Sequence, residues 1–226
     1  MKSLIIAVVF CFVASSIVSA QVSKEEQSSL RPKQVLVQLL EGNRRFVAGE
    51  STHHDHSLRI AKTAHGQFPK AVILSCLDSR VPVEVIFDRG IGDIFVGRVA
   101  GNIENVDQLG SMEFATKVAG SKLVMVLGHT HCGAVKGACD GVKLGNLTAL
   151  LSEIQPAVDA VKGFPESERH SKNPKFVQQV IEKNVLKTVA DIRERSPILA
   201  ELEASGQIMI VGALYDLHTG RVSLLD

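Results

Sequence analysis

Two short pieces of this chain carry residue types that can do chemistry together: Cys76-Leu77-Asp78-Ser79-Arg80 and His129-Thr130-His131-Cys132-Gly133. Two thiols, an imidazole and a carboxylate form a donor set suited to zinc. Alternate residues of an extended segment point the same way, so Cys76, Asp78 and Arg80 can face one site. Arg80 can then hold Asp78 in a charge-assisted, bidentate pair. His129 and Cys132, three apart where a strand turns into a helix, can reach the same ion. A helix start beside Cys132 favours its thiolate.

Three protein ligands with a fourth position open describe a catalytic zinc site rather than a structural one. Zinc can ionise a bound water near neutral pH, and Asp78 can accept that oxygen's proton in a hydrogen bond and aim its lone pair. The competing role for Asp78 is that of fourth ligand, which closes the site and which the Arg80 pair opposes. The plain alternative for the pair is a turn-stabilising salt bridge. Either histidine of His129-Thr130-His131 can ligate. The strand-end turn and the His-x-x-Cys spacing favour His129, leaving His131 as a surface or supporting residue with a weak claim as proton shuttle.

Each piece follows an apolar run that reads as a buried strand, residues 71–75 and 123–127. In an open parallel sheet, reactive side chains gather beyond the carboxyl ends of strands. Between them lie a short helix begun by Pro82, a strand over 94–100 and a helix over 105–119. The alternation predicts an α/β fold with right-handed crossovers. Downstream, helices are expected at 134–139, 147–161, 174–195 and from Pro197 to Gly206. A fourth strand follows at 208–214, and an edge strand at 221–225. The expected architecture is a mainly parallel sheet of four strands plus an antiparallel edge strand, flanked by helices. Pro32 starts an N-terminal helical arm that Gly49 stops, while residues 21–29 read as loose. The tract holding His53, His54, His56 and His65 reads as a solvated loop in which metal binding would be adventitious.

The chain has 226 residues, 45% hydrophobic and 22% charged, enough for one domain with a substantial core. Lys plus Arg is 25 against 24 Asp plus Glu, and Trp is absent, so neither charge nor stacking surface recruits nucleic acid. Small molecules are the better partner class. Lys2, the apolar run that follows and the small residues before Gln21 describe a secretory signal peptide over residues 1–20, with a single domain over 21–226. Export to a periplasm or the exterior is the expectation, with no membrane anchor after cleavage. Cleavage removes Cys11 and leaves Cys76, Cys132 and Cys139. A disulfide between Cys76 and Cys132 is the main rival to zinc, but it leaves His129 and Asp78 without a role. Cys139 reads as a small buried hydrophobe.

The chain resembles the β-class carbonic anhydrases through Cys76-Leu77-Asp78-Ser79-Arg80-Val81-Pro82, Arg98-Val99-Ala100-Gly101-Asn102 and Gly128-His129-Thr130-His131-Cys132-Gly133-Ala134. The resemblance runs over about residues 33–225 and its combined motifs are very specific. It implies one Zn2+ per subunit on Cys76, His129 and Cys132, with Asp78 and Arg80 as catalytic dyad, and reversible hydration of CO2 to bicarbonate and a proton. It also implies substrate hydrogen bonds from Gln67 and the Gly133 backbone, and an apolar pocket walled by Phe95 and Val81. Homodimers or homotetramers follow from it, with the site at the subunit interface and the N-terminal helix embracing the partner. Leu77 departs from the Ser common in the family. Ile73 stands where some members carry a Trp that helps close the site, so an open site at neutral pH is expected. Hydrolysis of CS2 or carbonyl sulfide on the same scaffold, and a non-catalytic zinc or thiol-redox protein, are the alternatives.

Overall fold

A computed structural model of the chain describes residues 22–225. The expected signal peptide, residues 1–20, lies outside the described residues. Ser23 opens the first helix, α1 (Lys24–Ser29), by accepting a hydrogen bond from the Glu26 amide at 3.1 Å. The expectation of a loose segment here is corrected by one residue. Gln27 is buried, and its amide donates to the Pro69 and Ala119 carbonyls at 2.7 and 2.9 Å. The predicted arm is α2 (Pro32–Ala48), started by Pro32 and ended by Gly49 in the left-handed conformation, φ 72°. It buries Val35, Leu36 and Leu39 against the domain.

The histidine tract is also more ordered than expected. Asp55 caps α3 (His56–Thr63) by accepting from the Leu58 amide at 2.9 Å, and Arg59 reaches inward to Asp93 at 2.9 Å. His53, His56 and His65 remain exposed, as a solvated segment requires. His54 turns in toward Asp88, 3.2 Å away.

The remaining elements alternate: β1 (Ala71–Ser75), α4 (Val83–Ile86), β2 (Ile94–Arg98), α5 (Val106–Glu113), β3 (Leu123–His129), α6 (Gly133–Cys139), α7 (Gly145–Ala160), α8 (Pro174–Arg195), α9 (Pro197–Ala204), β4 (Met209–Tyr215) and β5 (Val222–Leu225). α5 runs on into one wider turn at Phe114–Val118. The sheet order is β2-β1-β3-β4-β5, parallel except for β5, which is antiparallel to β4. The expected fold class holds.

β1 and β3 are buried along their whole length because helices cover both faces. Ile73, Met125 and Leu127 face α2 and α4, while Val72, Leu74, Val124 and Val126 face α5, α8 and α9. A third apolar cluster, from α6, α7 and the first half of α8, encloses Cys76 and Cys132. The chain leaves β1 toward β2 on one side, while β3 lies on its other side. The crevice between the carboxyl ends of β1 and β3 is therefore the topological switch point, where open α/β sheets place their ligand sites. Among the described residues no helix is long and apolar enough to cross a membrane.

Candidate metal centre

Cys76 is the first residue after β1 and His129 is the last residue of β3. The parallel register Ser75 to Leu127 brings the two strand ends side by side. Cys132 completes the group from the N-cap position of α6. One donor atom from each of the three residues lies within 4.8 Å of the other two, and all three residues are buried. The two sulfurs are 3.9 Å apart. Two thiolates bound at about 2.3 Å around a tetrahedral ion sit about 3.8 Å apart, so the pair fits zinc. It is too wide for a disulfide, and both thiols are free.

His129 is fixed from behind. Its Nδ1 lies 2.9 Å from the Thr130 carbonyl, which can only accept, so Nδ1 carries the proton and Nε2 carries the lone pair. That Nε2 is fully buried and has no hydrogen-bond partner. A buried acceptor without a partner costs stability unless something fills it, and a metal ion held with the two sulfurs would do so. The thiols share their proton in the same sense. The Cys132 thiol donates to Cys76, which holds Cys76 well below the usual thiol range and pushes Cys132 above it. Burial opposes the first effect and adds to the second, and the Gly101 amide, 3.4 Å from the Cys76 sulfur, helps the thiolate.

Asp78 and Arg80 form the expected bidentate pair. Arg80 Nε donates to Oδ1 at 2.9 Å and Nη2 to Oδ2 at 2.7 Å, while the Arg80 amide adds a third bond to Oδ1 at 3.0 Å. These bonds, against the opposing effect of burial, hold the Asp78 carboxyl well below the usual carboxylate range. Its Oδ2 lies 3.8 Å from His129 Nε2, beside the ligand cluster but committed to Arg80.

The other expected site residues are distributed differently. Gly133 opens α6 at the mouth of the crevice, with open space where a side chain would project. Val81 is wholly enclosed in the core beneath the turn and presents no surface to the crevice. Phe95 is paired with Val72, toward the amino end of the sheet. Its ring meets Phe114 edge-on at 6.2 Å and lines a groove of about 790 Å³ along β2 and α5. Gln67 is exposed and precedes β1, so the length of that strand separates it from the metal ligands of its own chain. His131 is exposed, as expected, and its imidazole meets His218.

Three further contributors were given no role by the sequence, although Arg98 and Gly101 stand in one of its motifs. Arg98 braces the Cys-x-Asp turn, donating from Nε to the Cys76 carbonyl at 3.0 Å and from Nη2 to the Asp78 carbonyl at 2.5 Å. Gly101 has φ 76°, and a Cβ there would meet Ile154 Cδ1 at 2.5 Å. Asn184, buried on α8, donates to the Gly101 carbonyl at 2.7 Å. An arginine ending a strand next to the reactive turn is a signal for the first of these, while the Asn184 contact spans 83 positions and has none. Gly101→Ala combines an unfavourable φ with a clash. It is expected to cost about 1–3 kcal/mol in urea unfolding and to loosen zinc retention against a chelator.

A parallel sheet whose switch point carries a buried Cys2His set beside an arginine-held carboxylate defines an α/β protein with a candidate metal centre. A family model described as carbonic anhydrase matches residues 71–222. Carbonic anhydrase 2 of Mycobacterium tuberculosis is 40% identical over 189 residues, covering 83% of this chain and 90% of that protein. The carbonic anhydrase of Mycolicibacterium smegmatis is 38% identical over 188 residues, covering 82% and 89%. Among solved structures, the Coccomyxa β-carbonic anhydrase in complex with acetazolamide superposes with a TM-score of 0.65 at 26% identity, covering 84% of this chain and 86% of that one. A tetrameric β-carbonic anhydrase of Sordaria macrospora shares the fold, with a TM-score of 0.64 at 23% identity and coverage of 85% and 97%. The chain belongs to the β-class carbonic anhydrases.

Proposed function

We propose that the chain is an exported zinc enzyme that converts CO2 and water reversibly to bicarbonate and a proton. The observation that carries this reading is the partnerless Nε2 of His129 beside two sulfurs at tetrahedral spacing, with an arginine-held carboxylate 3.8 Å away. Cys76, His129 and Cys132 would hold the ion, which supplies Lewis acidity toward a water in the crevice. Asp78 stays ionised because Arg80 holds it, so it can accept a proton from the attacking water and orient its oxygen. Both Asp78 oxygens are bonded to Arg80, which keeps the carboxylate from swinging onto the metal and supports an open site at neutral pH. The Gly133 amide, at the mouth, suits a substrate oxygen.

An exposed apolar face supports self-association as part of the same reading. Val106 and Phe114 are large apolar residues, both exposed, that line the same groove along β2 as Phe95. Burying such a face against a second copy is favourable. Gln67 and Phe95 lie away from the metal ligands of their own chain, so a role in substrate binding places them in a partner's site. The predicted signal peptide supports export.

Stopped-flow CO2 hydration by the zinc-loaded chain, from about pH 6.5 to about pH 9 around the ionisation of metal-activated water, tests the proposal. Fast hydration at neutral pH is the expected result, with negligible turnover of CS2 or carbonyl sulfide. Zinc-loaded protein that hydrates neither CO2 nor those analogues overturns it. Intact and native mass of the same exported preparation is expected to read a chain starting at Gln21 in dimers or tetramers.

A further inference from the structure

We propose that His131 and His218 form a second metal site, distinct from the Cys2His centre, for a divalent cation of right-angle coordination preference such as Cu2+ or Ni2+. The two Nε2 atoms face each other at 3.0 Å, with the rings nearly perpendicular at 85°. Two imidazoles bound at about 2.1 Å and at right angles to one another have nitrogens about 3.0 Å apart; at a tetrahedral angle they stand about 3.4 Å apart. Without metal the 3.0 Å contact is a hydrogen bond between the two imidazoles, and a cation of right-angle preference can replace the shared proton with little movement of either ring. Copper and nickel are also the ions that bind nitrogen donors most tightly in the first transition row.

The two histidines are held ready by their backbones. His131 stands at φ 58°, in the left-handed region. The residue before it is tied to the β4 end, with the Thr130 amide donating to the Tyr215 carbonyl at 3.0 Å and Thr130 Oγ1 accepting from the Leu217 amide at 3.0 Å. Asp216 then shapes the turn, its Oδ1 accepting from the His218 amide at 2.7 Å and the Thr219 amide at 3.2 Å. The strand ends that build the zinc centre thus also bring the two imidazoles together. Both residues are exposed, so water can complete the coordination. Lys136 and Lys172 line a small hollow together with His131, and their charge keeps the affinity modest.

The site stands apart from the hydration reading and is tested on the zinc-loaded chain, with its thiols occupied. Ni2+ is titrated by calorimetry, and the Cu2+ form is read by electron paramagnetic resonance. One equivalent of modest affinity is expected, with hyperfine structure from two nitrogens. His131→Asn, chosen because asparagine tolerates the left-handed backbone, and His218→Ala should each weaken binding by at least about tenfold, since even outer partners of metal ligands are worth about 10–100-fold. A His53→Ala and His56→Ala double variant should bind as the parent does. Unchanged affinity in both single variants, loss in the double variant instead, or a spectrum without two nitrogen couplings overturns the proposal. Zinc content and circular dichroism equal to the parent show that each variant is folded.

Discussion

Replacing Asp78 by alanine is expected to lower CO2 hydration at neutral pH by about 10²- to 10⁴-fold, the usual worth of a positioned proton acceptor, while zinc stays bound. The Asp78 carboxylate oxygens are spent on Arg80, and the backbone amide that helps the Cys76 thiolate survives the substitution, so removing the side chain leaves the ligand set intact. The loss should fall on kcat. Asp78→Asn should fare little better, because an amide cannot take the proton and pairs less well with a guanidinium. Arg80→Lys separates positioning from charge: it keeps the cation but gives up the two-point grip, so the carboxylate becomes free to move toward the metal. Its activity should be weak at neutral pH and recover as pH rises. Full activity in Asp78→Ala sinks the proposed role.

The same variant carries a stability signature. The Asp78 carboxyl titrates below its ordinary range because Arg80 bonds its charged form. A lowered carboxyl contributes stability that is fully present above the unfolded value, about 4, and is lost as pH falls through the folded value. The difference in urea midpoint between parent and Asp78→Ala should therefore be largest near neutral pH and shrink in acid. Arg80 is more than half exposed, so solvent screening keeps this difference small beside the kinetic loss.

What could be read from the sequence follows from how local the determining chemistry is. Cys76, His129 and Cys132 were legible because they lie one, two and five positions beyond apolar runs that read as buried strands, residues 71–75 and 123–127. The carboxyl ends of neighbouring parallel strands must then meet. The Asp78 and Arg80 pair is two residues apart and needs no tertiary information. α1 was missed because its anchor, Gln27, looks like any surface glutamine until Pro69 and Ala119 arrive 42 and 92 positions later. α3 was missed for a related reason: its tie to the domain is Arg59 to Asp93, an ion pair between residues 34 apart. Gln67 and Phe95 depend on strand direction and register, which put both away from the crevice of their own chain. Asn184, which supports Gly101 from the far side of the crevice, belongs to a helix that reads only as amphipathic.

Substituting His129 by alanine should abolish both zinc retention and activity, and here the choice between the two histidines is decided. His129 supplies the one buried imidazole of the cluster, with Nδ1 turned to the Thr130 carbonyl and Nε2 to the sulfurs. Without it two thiolates would have to share the ion with water alone, and their mutual repulsion would no longer be offset by a full ligand set. Hydration should fall to the uncatalysed background and zinc content from about one per chain to nearly none after dialysis against a chelator. Stability should fall as well, because the residue is fully buried and alanine leaves a hole beneath β3, worth about 2–4 kcal/mol before the lost metal binding is added. His131→Asn should retain zinc and fold normally, since the His131 side chain faces solvent and His218 rather than the sulfurs. Zinc lost from His131→Asn but kept in His129→Ala would reverse the assignment and with it the account of the site.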